Sequence, residues 1–148
     1  MKKPAKYFFP SNSDFVSKLL TWSQERENFC FLNEQNIHLK DYNGFVPVAA
    51  VGSIAEFTSS NGNVFDELKE YLNERSVPSF GFFSYDLKNQ IEKLESKNFD
   101  GVEMPEIHFF QPELIFNISE KGNKVDVQYF PELITESEIK LLCKKIEE

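Results

Sequence analysis

The sequence predicts an α+β fold, with about three helices packed on largely antiparallel sheet, and three observations carry that expectation. Short apolar segments, several rich in phenylalanine, alternate with three stretches in which apolar residues recur at helical spacing. Two strand-like segments near the end flank Glu120-Lys121-Gly122-Asn123, whose Gly-Asn pair tolerates the positive φ of a hairpin turn. Sixteen Phe against one Trp and two Met suit broad sheet faces packed with flat rings.

A polar, proline-bounded lead-in comes first. Phe15, Val16, Leu19, Leu20 and Trp22 then mark a first helix from about Ser13 to Arg26, with Ser11 or Ser13 able to cap its first turn. Asn28 to Leu32 reads as a short strand and Phe45 to Val51 as a second, Pro47 placing the latter at an edge or a bulge; the polar loop Asn33 to Gly44 joins them. Val64, Phe65, Leu68, Tyr71 and Leu72 form a second helical stripe, started by Asn61-Gly62-Asn63 and stopped before Pro78. Ser79 to Tyr85 is apolar on both faces, as a central strand covered on two sides would be, and Gly81 within it marks a close approach. Pro112 to Ile118 and Lys124 to Phe130 are the arms of the hairpin. Thr135 and Glu138 form a capping box, and Ile134 with Ile139 fits the hydrophobic staple of a last helix that buries Ile139, Leu142, Cys143 and Ile146. That helix meets no Gly or Pro stop before Glu148, so the natural chain is expected to continue.

At 148 residues one domain around one core is expected. The net charge of −8 opposes attraction to phosphate backbones and anionic lipid, which makes nucleic acid and membrane surfaces poor partners. No apolar run approaches the roughly 18 residues of a spanning helix. Pro4, Lys6 and Pro10 interrupt the N-terminus too early for a signal peptide, so a cytoplasmic location is expected. Cys30 and Cys143 lie far apart and form no metal-type pair, as buried, reduced thiols would.

Tyr85-Asp86 sets a carboxylate beside a phenol, a pairing that could move a proton. Asp86 also sits where a strand ends and a short helix could begin at Leu87, and capping of orphan N–H groups is the reading adopted. His108 shares a strand face with Glu106 and Phe110, but His38 and both cysteines fall elsewhere in the sequence, so a structural histidine and no metal site are expected. The acidic residues from Glu92 to Glu106 lack the alternating pattern of a calcium loop. No phosphate loop, nucleophile elbow or dinucleotide fingerprint occurs. A self-contained active site is therefore not expected.

Phe80 to Phe116 carries a resemblance. Gly81-Phe82-Phe83-Ser84-Tyr85-Asp86, the acidic Glu92 and then Pro105-Glu106 resemble the N-terminal region of component I of the chorismate-amination enzymes, aminodeoxychorismate synthase and anthranilate synthase, in which a Gly-x-x-Gly-Tyr-Asp strand occurs. The likeness extends from Trp22 to Val127, with Phe29 to Leu32, Tyr42-Asn43-Gly44-Phe45 and Val48 to Gly52 at the places of the family's first strand, turn and second strand. Ser84 stands where a second glycine is usual, and Pro78-Ser79 where two more often occur. Phe31-Leu32-Asn33-Glu34 falls where tryptophan-regulated members carry Leu-Leu-Glu-Ser, and Gly44 where an arginine is common.

The resemblance implies the N-terminal half of the chorismate-utilising fold, a non-catalytic domain in which Gly81, Tyr85, Asp86, Glu92 and Pro105 are structural motif positions. An effector site, if kept, would draw on Leu32, Asn33, Glu34, Tyr42 and Phe45, and the departures there count against tryptophan and for the aminodeoxychorismate branch of folate synthesis. The implied partners are the protein's own C-terminal chorismate-binding region, which would hold Mg²⁺ with the substrate, and a glutamine amidotransferase, component II. The alternatives are the anthranilate branch and a free-standing ligand- or protein-binding module of the same fold. A sheet built from Phe80 to Tyr85, Ile107 to Phe110 and Leu114 to Ile118 is expected, covered in part by the C-terminal region, so that the domain by itself exposes apolar surface and self-associates.

Overall fold

The computed structural model of the chain describes residues 3–33, 46–59, 63–74, 77–88, 104–119 and 122–148. In chain order the elements are β1 (Ala5–Pro10), α1 (Phe15–Ser23), β2 (Phe29–Leu32), β3 (Val48–Val51), β4 (Ala55–Ser59), α2 (Val64–Asn73), β5 (Phe80–Phe83), a 3-10 turn (Tyr85–Leu87), β6 (Ile107–Gln111), β7 (Leu114–Ile118), β8 (Lys124–Tyr129) and α3 (Glu136–Glu147). The fold is α+β, and all strand pairs among the described residues are antiparallel. The chain divides into two compact units, Met1–Ser53 with Pro112–Glu148, and Ile54–Gln111. Each has its own buried cluster, where the length had suggested one core.

The first unit is a five-stranded sheet in the order β1-β8-β7-β3-β2. Strict alternation along β8 turns Val125, Val127 and Tyr129 inward and Asp126 and Gln128 outward. The register sets Tyr7, Val127, Phe116, Ala49 and Phe31 in one row across all five strands. Phe15 and Leu19 of α1 and Ile139, Cys143 and Ile146 of α3 pack into the same core. Trp22 meets Phe116 edge-on, with centroids 6.4 Å apart, and the Arg26 guanidinium lies 4.4 Å from the centre of the indole.

The hairpin forms where expected: Gly122 has φ 65°, its N–H donates to the Ser119 carbonyl at 2.7 Å, and Ser119 N–H donates to the Lys124 carbonyl at 2.9 Å. The capping box also forms, with Glu138 N–H donating to Thr135 Oγ1 at 3.3 Å and Thr135 N–H donating to Glu138 Oε2 at 2.8 Å. Ile134 and Ile139 join one cluster, as the staple requires. These bonds hold the Glu138 carboxyl below its ordinary range, the Thr135 backbone contributing most. A depressed folded pKa stabilises above the unfolded value, and that contribution is lost as pH falls through the folded one. Thr135→Ala should cost about 0.5–2 kcal/mol near neutrality, and the difference from wild type should shrink in acid; urea midpoints at several pH values check this.

Several expectations are corrected. β1 falls in the lead-in, and β4 is a further strand; neither was read from the sequence. β1 hides between prolines, and β4 reads AEFTS, too polar to mark a strand by apolar alternation. The first helix is shorter than Ser13 to Arg26, and neither serine caps it: the N-cap position is Asp14, while Ser11 donates to the Gly122 carbonyl and Ser13 to Asp14 Oδ1. β3 lies inside its sheet, not at an edge, because Pro47 precedes the strand and takes part through its carbonyl, which accepts from Ile118 N–H at 2.8 Å. Phe80 to Tyr85, Ile107 to Phe110 and Leu114 to Ile118 do not share one sheet, since β5 and β6 belong to one and β7 to the other.

Both cysteines are free; Cys143 is buried in the core and Cys30 is half-buried. Burial, with Glu147 as a lesser cause, pushes the Cys143 thiol up to about 12, and burial raises Cys30 as well. The thiolate is the reactive form. A thiol reagent at mildly alkaline pH should therefore label Cys30 first and Cys143 only after denaturation, as peptide mapping of the adduct would record.

Candidate functional site

The motif positions gather in the second unit, a three-stranded sheet in the order β4-β6-β5. One face carries Ala55, Phe57, Ile107 and Phe109 against Val64, Leu68 and Tyr71 of α2, with Leu87 in the same cluster. Apolar residues at 64, 68 and 71 follow the helical repeat, so α2 presents one stripe to the strands. Tyr71 hydroxyl donates to the Ala55 carbonyl at 3.1 Å, and its ring lies 5.4 Å from that of Phe57. The register places Phe82, His108 and Thr58 together on the opposite face, beside Phe80 and Phe110.

Gly81 is the tightest point of this sheet. A Cβ there would lie 2.0 Å from the His108 carbonyl oxygen and 2.8 Å from Cγ of Phe109, so only glycine fits without moving backbone. The close approach expected at Gly81 is thus present, but among the described residues β5 is an edge strand and not a central one, with β6 between it and β4. Ser84 N–H donates to the Glu106 carbonyl at 2.8 Å. That bond sets the end of the Gly81 to Tyr85 segment beside Pro105-Glu106, two stretches far apart in sequence.

Tyr85 opens the 3-10 turn and is 80% exposed, its ring capped by the Lys88 ammonium at 3.7 Å. The turn begins at Tyr85, so Asp86 lies within it and does not precede it; the expected N-cap position falls to Ser84, whose carbonyl accepts from Leu87 N–H. The side chain of Asp86 lies outside the described residues, as do Glu92, Glu34, Tyr42 and Phe45. Of the other effector positions, Leu32 ends β2 with 42% exposure and Asn33 follows it, both in the first unit.

His108 is held by contacts that suit a structural role. Its Nδ1 lies 3.1 Å from Thr58 Oγ1, and its ring lies 5.9 Å from Phe82 and 6.4 Å from Phe110. Among the described residues no group of three or more His, Cys, Asp or Glu could hold a metal ion. No helix among them is long and apolar enough to cross a membrane.

Sequence reasoning missed Phe109 as the residue that makes Gly81 necessary. The two are paired across β5 and β6, and Phe109 also meets Phe83 edge-on at 5.1 Å. An aromatic residue directly opposite an edge glycine is a recognisable cross-strand device, but only once the register is known. Comparison with known proteins adds no family: neither a protein-family model nor a curated protein matches the chain.

Proposed function

We propose that this chain is the non-catalytic N-terminal domain of a chorismate-amination component I, on the aminodeoxychorismate branch that leads to para-aminobenzoate and folate. The observation that carries the reading is the seating of the motif: Gly81 packs against the His108 carbonyl and Phe109 with no room for a side chain, and the same strand runs into Tyr85-Asp86 beside Pro105-Glu106. Two of the segments that carry the resemblance, Gly81 to Tyr85 and Pro105-Glu106, are neighbours in space. The α+β class and antiparallel pairing agree with it.

In this reading the domain completes the fold around a C-terminal chorismate-binding region and offers part of the surface that a glutamine amidotransferase meets, in the cytoplasm. Chorismate and Mg²⁺ belong to that other region, and no step of the chemistry falls to residues described above. Tyr85 and Phe83, exposed at the sheet edge, are surface features and not reacting groups.

Reading the gene beyond Glu148 is the deciding test. An in-frame chorismate-binding region supports the proposal, and a stop codon supports the free-standing module. The purified 148-residue chain, given chorismate, ammonium and Mg²⁺, is expected to form no product above a protein-free blank. Turnover that falls on mutating His108 would overturn the non-catalytic assignment, and anthranilate as the product of the longer protein would move it to the tryptophan branch.

A further inference from the structure

The open edge of the three-stranded sheet offers a surface that the proposed function does not use. Ser84 N–H bonds to the Glu106 carbonyl, and hydrogen-bonded pairs alternate along an antiparallel ladder, so Phe82 and Phe80 also turn their backbone groups toward β6. Gly81 and Phe83 then turn theirs away, to an edge where no described strand pairs with β5. Gly81 is exposed and Phe83 is 52% exposed, so this edge meets water.

Sheet edges are ordinarily blunted by charge, proline or a bulge. Here β1 carries Lys6 and ends at Pro10, and β4 carries Glu56; β2 has no charge of its own, but the charged run Glu25, Arg26 and Glu27 ends two residues before it. From Val77 to Tyr85, by contrast, there is no charged residue, and β5 itself contains no proline.

We infer that β5 pairs antiparallel with β5 of a second copy of this chain, about a twofold axis through Phe82. This register sets Gly81 of each copy opposite Phe83 of the other, so the outward N–H of each meets the outward C=O of its opposite residue. Each copy contributes the same two residues, as an isologous contact requires. The side chains suit it as well. Phe109 already lies beside Gly81 within the sheet, and Gly81 carries no side chain to hold off the exposed ring of Phe83 from the second copy. Copies that each carry a net charge of −8 repel at long range, and an uncharged strand is where they can approach. The chemistry favours an identical strand over a charged partner, which would find no counter-charge along this edge.

The test uses the whole chain with Cys30→Ser, so that buried Cys143 is the only native thiol left. Phe82→Cys places one thiol per copy on the axis, in a non-hydrogen-bonded pair whose Cα atoms lie about 4.5 Å apart, close enough for a disulfide. Under a glutathione redox buffer this variant should give a covalent dimer on a denaturing gel. Phe83→Cys, whose two copies sit diagonally across the axis, should not. Phe83→Pro deletes an outward N–H, which an edge strand tolerates, together with the ring that each copy would lend to the other, and should weaken the dimer seen by sedimentation at least about tenfold with the circular dichroism spectrum unchanged. Phe8→Lys, at a site 72% exposed on β1, should leave association as in wild type. A strictly monomeric wild type across a wide concentration range would overturn the inference, as would cross-linking through Phe83→Cys as readily as through Phe82→Cys. Neither result bears on the reading of the gene beyond Glu148, so this inference and the proposed function fail separately.

Discussion

Gly81→Ala is expected to destabilise the protein by about 1–3 kcal/mol or more, the range for forcing atoms into a packed site. The added methyl group would stand 2.0 Å from the His108 carbonyl oxygen and 2.6 Å from the Phe109 Cα, both backbone atoms fixed in β6. Replacing a strand glycine with alanine would otherwise gain about 0.5–1 kcal/mol from reduced chain entropy, so the clash decides the sign. Gly52 makes a useful contrast. Its φ of 73° also disfavours a side chain, but the nearest atom is the end of the flexible Glu113 side chain, which can swing away. Gly52→Ala should therefore cost only the left-handed backbone penalty, about 1–2 kcal/mol. Urea midpoints for the two variants give the comparison; an unchanged midpoint for Gly81→Ala would show that β5 and β6 are not this close.

Phe116→Ala should have the largest effect, about 3–5 kcal/mol, from lost burial and the cavity left behind. Phe116 is fully buried in the middle strand of the five, with Val127 and Ala49 across from it and the Trp22 indole on its edge. Ala49 is too short to fill the hole, and Val127 is fixed in its own strand. Total stability is typically about 5–15 kcal/mol, so this one substitution removes a large share. The single Trp lies against the mutated ring and reports the change directly: its emission should shift and its urea midpoint should fall. Retention of the wild-type midpoint would mean that the row from Tyr7 to Phe31 does not form the core.

Local patterns were legible wherever a few neighbouring residues decide the outcome. The Gly122-Asn123 turn, the Thr135 and Glu138 capping box, the Val64, Leu68 and Tyr71 stripe of α2 and the buried stripe of α3 all depend on contacts within one turn or one helix, whereas Phe65 and Leu72, read into the α2 stripe, are exposed. Ser11 shows the limit of such reasoning. It has the chemistry of a helix cap, but its hydroxyl donates to Gly122, on a turn that only the folded chain brings near.

By itself the sequence determined the α+β class, the hairpin, the last helix and its cap, and the need for glycine at position 81. Those follow from periodicity, φ preference and local hydrogen bonding, which act over a few residues. Only the tertiary structure decided that two sheets form instead of one, that β3 is interior and β5 is an edge, and that Phe109 is the neighbour that makes Gly81 obligatory. The physical reason is that strand order and register are fixed by pairing between distant segments. AEFTS shows little strand signal alone, yet as β4 it takes the far side of β6 and so leaves β5 facing water.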